Sequence, residues 1–112
     1  MSALQTVQID GSKIIDWDSL HDEFASVLGF PEFYGRNGDA WIDCMSSLDT
    51  EFSSVRVDPG QLLLVEIGDA DRLADRAPDL LNFIYDASAF VNGRRIEVGQ
   101  PPILLISRRV PN

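Results

Sequence analysis

No stretch of this 112-residue chain approaches the roughly 18 consecutive apolar residues that a membrane span requires, so a membrane is not expected as a partner. Cys44 is its one cysteine. No internal disulfide can form from it, which suits a reducing compartment. His21 is the one histidine, and no His and Cys residues stand at metal-ligand spacing. Bases are scarce: nine Lys and Arg face eighteen Asp and Glu, a formal net charge of -9. Nucleic-acid phosphates are held by Lys and Arg, so that balance argues against direct nucleic-acid binding. It favours encounter with a basic surface, with solubility as the plain alternative. "GRNG" lacks the spacing of a phosphate-binding loop or a dinucleotide fingerprint, and no cofactor is expected. "MSALQTVQID" has neither a basic start nor an apolar signal core, so no export and a cytoplasmic location are expected. Internal repeats and low-complexity tracts are absent.

What is present is ordinary for a globular chain: 45% hydrophobic and 24% charged residues, enough for one core. A single domain over residues 1–112, monomeric when free, is the expectation. "TVQIDG" alternates apolar and polar residues and then turns, which predicts a strand. "DSLHDEFASVLG" predicts a helix through its Leu20, Phe24, Val27 and Leu28 stripe, with Asp18 to cap its start and Gly29 to end it. After the loop "FPEFYGRN", a second helix is predicted from Gly38 to Leu48 with Asn37 as its cap. The polar segment 49–60 ends in a turn at Asp58-Pro59-Gly60, with an extended piece near Ser54 to Val57. "QLLLVEI" predicts a strand covered on both faces. Helices near Ala70 to Arg76 and from Pro78 to Val91 follow, the second closed by Asn92-Gly93, and "PPILLIS" predicts a last buried strand. Strand, two helices, strand, two helices, strand is the order of a small parallel α/β sheet.

Chemistry concentrates in "PEFYGRNGDAWIDC". Asp39 and Asp43 fall one helical turn apart, where like charges repel by a few tenths of a kcal/mol. Three readings compete. The pair could be solvated surface, with Asp39 favoured by the helix dipole. It could hold a divalent cation with Asp86 or Glu66, as in a metal-dependent phosphoesterase. Or it could await a basic partner, a reading helped by Phe33 and Tyr34 just before the helix, since aromatics beside charged groups are interface composition. His21 is expected to pack or lie at the surface, and Cys44 to be an inert thiol on the apolar side of the helix.

The stretch "FPEFYGRNGDAWIDC" resembles the signature of the barstar family of intracellular ribonuclease inhibitors. Pro31, Glu32, Phe33, Tyr34, Gly35, Asn37, Asp39, Ala40, Asp43 and Cys44 match in order without a gap, and the likeness extends to "IDGSKI" and to Leu20-His21. The resemblance implies a barstar-like three-layer α/β fold with a three-stranded parallel sheet and about four surrounding helices. It implies that the second helix and its preceding loop plug the active site of a basic secreted ribonuclease. Asp43 would be the main phosphate mimic and Asp39 its companion, with Phe33 over the mouth of that site and Gly35 and Asn37 allowing close approach. Tyr34, Ile42 and Asp86 complete the implied contact set. Such a protein would be an immunity protein rather than an enzyme, or a regulatory interaction domain that has lost nuclease binding. Phe33, Arg36, Gly38 and Ile42 depart from the residues usual at their positions in the family.

Overall fold

The computed structural model describes residues 4–50 and 54–109. The order of elements is the expected one: β1 (Leu4–Asp10), α1 (Trp17–Leu28), α2 (Gly38–Ser46), β2 (Leu62–Gly68), α3 (Ala70–Arg76), α4 (Pro78–Glu97) and β3 (Leu104–Arg109). The strands form one parallel sheet in the order β1-β2-β3. Val7 and Ile9 pair with Val65 and Ile67, and Leu63 with Leu104, so one side of the sheet is a continuous apolar surface. Leu20, Phe24 and Leu28 of α1, Trp41 and Met45 of α2, and Leu81, Ile84 and Val91 of α4 close over it. Side chains alternate between faces along a strand. Leu63, Val65 and Ile67 are accordingly buried, whereas Leu62, Leu64 and Glu66 on the other face are half-buried. In the edge strands that second face carries Leu4, Thr6, Gln8 and Leu105, all exposed. The α/β class, three parallel strands and four helices stand. The expectation that β2 is covered on both faces is corrected: one face is buried and the other only half-buried, and its apolar run reflects its central position in the sheet.

Local chemistry corrects three boundaries. The cap of α1 is Asp16 rather than Asp18. Its carboxylate accepts from Ser19 N at 2.8 Å while the Ser19 hydroxyl donates back toward it and accepts from Asp16 N, a reciprocal capping box. Gly29 ends α1 as expected, in the left-handed conformation at φ 64°. The segment around Ser54 to Val57 is not a strand. It is pinned instead by hydrogen bonds from Ser54 N to Gly29 O, Val55 N to Leu28 O and Val57 N to Leu48 O. Residues 51–53 of the polar segment, and residues 1–3 of the N-terminal stretch read for an export signal, lie outside the described residues.

The third correction matters most for the surface described below. α4 does not stop at Asn92-Gly93 but continues to Glu97. The Asn92 side chain is engaged elsewhere: Oδ1 accepts from Ile103 N (2.9 Å) and Leu104 N (3.0 Å), and Nδ2 donates to Leu104 O (2.9 Å). It joins the helix to the start of β3 rather than ending the helix. One turn on, buried Arg95 donates to Pro101 O and Ser46 O, both at 2.9 Å, and pairs with Asp49 at 3.3 Å. The chain leaves the helix at Gly99, with φ 82°.

Two stability outcomes follow from this geometry. Gly93 lies inside the helix, and a Cβ there would meet nothing within 4 Å beyond the helix itself. Gly93→Ala is therefore expected to stabilise the fold by about 0.5–1 kcal/mol in urea titration. Asn92→Ala is expected to destabilise by about 1–3 kcal/mol, because it strands the amides that open β3. A stabilising Asn92→Ala would refute the joining role.

Candidate functional site

Residues 30–37 form a loop whose neighbouring aromatics point opposite ways. Tyr34 is buried, with its ring centroid 4.8 Å from that of Phe30 and 5.5 Å from that of His21, and its hydroxyl hydrogen-bonded to His21 Nδ1. Burial raises the Tyr34 phenol well above its ordinary value, so it stays neutral. Phe33, the residue before it, is 75% exposed. Arg36 then adopts φ 55°, unusual for a side chain with a Cβ. Its guanidinium binds Asp22 at 2.8 Å, lies 3.7 Å from the Asp18 carboxylate and donates to Asp18 O at 3.1 Å. The loop is thus fastened to α1 from inside by Tyr34 and from outside by Arg36. Gly35 and Asn37 are left exposed between these anchors and α2.

Asn37 caps α2 as expected, its Oδ1 accepting from Ala40 N at 2.8 Å. Gly38 opens the helix where Phe83 presses close: a Cβ there would stand 3.3 Å from the Phe83 ring. Trp41 and Met45 are buried, Ile42 is half-buried, and Asp39 and Asp43 are exposed. Cys44 is half-buried, and burial, helped by the charge of Asp43, pushes its thiol up, which disfavours the nucleophilic thiolate. His21 proves to be a buried packing residue.

Asp43 lies between two hollows. One, of about 140 Å³, is lined by Pro31, Phe33, Asp43, Cys44 and Ser47. The other runs between α2 and α4 and is lined by Asp39, Ile42, Asp43, Phe90 and Arg94. The structure therefore brings together Phe33, Asp39, Ile42 and Asp43 of the residues expected from sequence. Gly35 and Asn37 lie in the loop beside them, and Asp86 is exposed one turn before Phe90 on α4. Tyr34 is withdrawn from the surface and acts from behind it. Two members were missed. Phe90 is 57% exposed, and Arg94 Nη1 lies 3.3 Å from Asp43 Oδ1. The carboxylate that looked uncompensated in the sequence has an internal counterion. Predicting α4 to end at Val91 left Arg94 outside any helix and hid it. Among the described residues, no group of three or more His, Cys, Asp or Glu side chains is gathered to hold a metal. The cation set of Asp39, Asp43 and Asp86 or Glu66 is therefore not assembled.

Fold and surface define a class first: a small α/β domain that holds out an acidic, aromatic-edged helix and loop. The family model described as Barstar (barnase inhibitor) matches residues 4–99, and the chain belongs to that family. It is 40% identical over 43 residues to the Bacillus subtilis (strain 168) protein named "Putative ribonuclease inhibitor YrdF". That match covers 38% of this chain and 47% of the relative, so it spans about half of the relative's length.

Burial of His21 generates a pH dependence. Burial holds the His21 imidazole below its ordinary value of 6.5; Arg36 adds to this, while Asp18 and Asp22 oppose it. Folding thus favours the neutral ring. The associated stability is full above pH 6.5 and is lost as pH falls from there through the lower folded value. The thermal midpoint is expected to drop between pH 7.5 and 5.5, with at most about 1.4 kcal/mol per pH unit from this one group. His21→Gln should flatten that window; an unchanged slope would place the dependence elsewhere.

Proposed function

We propose that this protein inhibits a basic ribonuclease by inserting α2 and the preceding loop into the enzyme's cationic active site. The observation that carries the reading is the placement of Asp39 and Asp43, exposed on one face of a capped helix beside an exposed Phe33. A ribonuclease site holds an RNA phosphate with cationic groups, and a carboxylate presents the same charge and acceptor oxygens to them. Asp43 stands at the centre of the surface and is assigned the phosphate position; Asp39 supplies a second charge one turn away. Phe33 and Phe90 cover apolar surface at the rim, and Ile42 fills the space between the carboxylates. Asp86 adds charge from α4. Tyr34 and Arg36 fix the loop before any partner arrives, which lowers the ordering cost of binding. The protein would act in the cytoplasm as a monomer and protect the cell that makes the nuclease. Family membership and the similarity to a protein named as a ribonuclease inhibitor support this reading over the phosphoesterase alternative.

The decisive experiment separates binding from folding on one variant. Asp43→Ala is expected to weaken binding to a target ribonuclease, barnase being the first probe, by several kcal/mol. Truncating one partner of a buried charge pair typically costs about 2–5 kcal/mol or more, a range informed by the barnase–barstar pair itself. Its effect on folding should stay within about 0.5 kcal/mol, since the side chain is exposed and its pair with Arg94 lies at the surface. Full inhibition by Asp43→Ala would remove the phosphate-mimic role. Large destabilisation would show instead that Asp43 holds the fold.

Electrostatic steering gives a second expected outcome. With a net charge of -9, association with a basic nuclease should be fast at low salt and slow as salt rises, because screening shortens the field to about 10 Å at 0.1 M. Stopped-flow association rates that stay flat between low and high salt would assign the acidity to solubility alone.

A further inference from the structure

The groove between α2 and α4 contains one cation among its acids. Arg94 donates to Asp43 Oδ1 at 3.3 Å, and the two side chains are 54% and 68% exposed. Asp39 and Asp43 stand on α2 and Asp86 two turns before Arg94 on α4, so the guanidinium is outnumbered. Among the described residues no ion pair joins Asp39 or Asp86. Any cation that approaches Asp43 meets one already there. Exposed pairs of this kind are weakly held, so the arginine can be displaced. Displacement does not remove its charge, however. The stem of Arg94 is rooted in α4 one turn beyond Phe90, and its head group remains at the edge of whatever docks on the groove.

We propose that Arg94 is a specificity-determining residue of this surface, selecting a partner whose cationic pocket carries an acidic group on the rim that faces α4. This rests on the inhibitor reading above and names the kind of partner that surface fits. A uniformly basic rim competes with Arg94 for Asp43 and is then repelled by the displaced guanidinium. A rim with a carboxylate at that place takes up the guanidinium as its own pair while its cations take Asp43. Like charges set against the wrong partner and opposite charges set against the right one together produce discrimination. Phe90, 57% exposed between Asp86 and Arg94, marks where the partner's rim must be apolar.

Two measurements on the intact protein test this. The first uses no partner: NMR measurement of rotation about the Arg94 Cζ–Nε bond. Rotation is expected to be slower in the wild type than in Asp43→Asn, and equal rates would overturn the proposal. The second follows the amide resonances of Ile42, Asp43 and Phe90 during titration with two hexapeptides, hexa-arginine and Arg-Arg-Glu-Arg-Arg-Glu. Arg94→Ala is expected to tighten hexa-arginine binding about two- to fivefold and to improve mixed-peptide binding less, raising the preference for the all-arginine peptide. Arg72→Ala, which removes an 80% exposed arginine from α3, controls for the change in net charge. The proposal falls if the control gains as much as Arg94→Ala, if the preference between peptides is unchanged, or if neither peptide shifts those amides. It can fail while Asp43→Ala still abolishes ribonuclease binding, and that binding can fail while the Asp43–Arg94 pair stands, so the two readings are separable.

Discussion

Burial of Trp41 sets the direction of everything the protein presents on α2. Its ring meets Phe24 of α1 at 5.4 Å and Phe83 of α4 at 5.4 Å, both edge to face, and Phe83 continues to Trp17 at 5.3 Å. Edge-to-face contacts prefer a narrow set of orientations and add about 0.5–1.5 kcal/mol per pair beyond area burial. In a helix of only nine residues, one fully buried tryptophan locked between two other helices fixes rotation about the axis. Residues advance about 100° each. Positions two before and two after Trp41 therefore lie on the opposite side, about 40° apart, and those positions are Asp39 and Asp43. The acidic face is the geometric complement of the aromatic one, and Gly38 lets Phe83 come close enough for the arrangement to close.

The same logic explains how much of the site could be read from the sequence. Asn37, Trp41, Met45, Asp39 and Asp43 were legible because a cap and a helical period are local signals, written within a few residues. Tyr34 was found as a motif member, but its burial was not legible. The alternation that buries it and exposes Phe33 depends on His21, thirteen residues away, which no periodicity connects to it. Arg94 and Phe90 lay beyond local reasoning altogether. Asn-Gly is a fair helix-stop signal, and it failed because Asn92 gains three hydrogen bonds to the β3 segment by staying helical. Tertiary bonding overrode the local preference, and the extension of the helix from Val91 to Glu97 brought an arginine to a carboxylate 51 residues earlier. The half-buried second face of β2 escaped for a related reason: a central strand of consecutive leucines looks alike whether one face is covered or two.

The polar groups divide by depth in a way that separates stability from recognition. Arg95 is 4% exposed and binds two carbonyls and Asp49, and Glu23, 8% exposed, accepts from Asp10 N at 2.8 Å to tie α1 to β1. Buried charges such as these cost several kcal/mol to bury and are tolerable only because their partners are in place, so losing one partner is expensive. Immediately before Arg95 in the chain, Arg94 has the same chemistry in water, where a pair is worth about 0–1 kcal/mol. Neighbouring arginines on one helix thus differ in kind, one fixed into the fold and one weakly paired at the surface.

That division has a consequence for how such a surface diverges. The groups that orient α2 and its loop all face inward or toward α1: Trp41, Met45, Tyr34, His21 and the Arg36–Asp22 pair. Those that would meet a partner face outward from the same backbone: Phe33, Asp39, Asp43, Phe90 and Arg94. Substitution in the outer set removes little buried area and leaves no buried polar atom stranded, so it changes recognition at small cost to folding. Substitution in the inner set moves every outer residue at once. Ile42 sits between the sets, half-buried with its carbonyl accepting from Ser46 Oγ at 2.6 Å. A bulkier side chain there would rest on the groove between the carboxylates and Phe90, altering its shape without touching Trp41. The outer face can therefore vary while the inner face holds the fold constant.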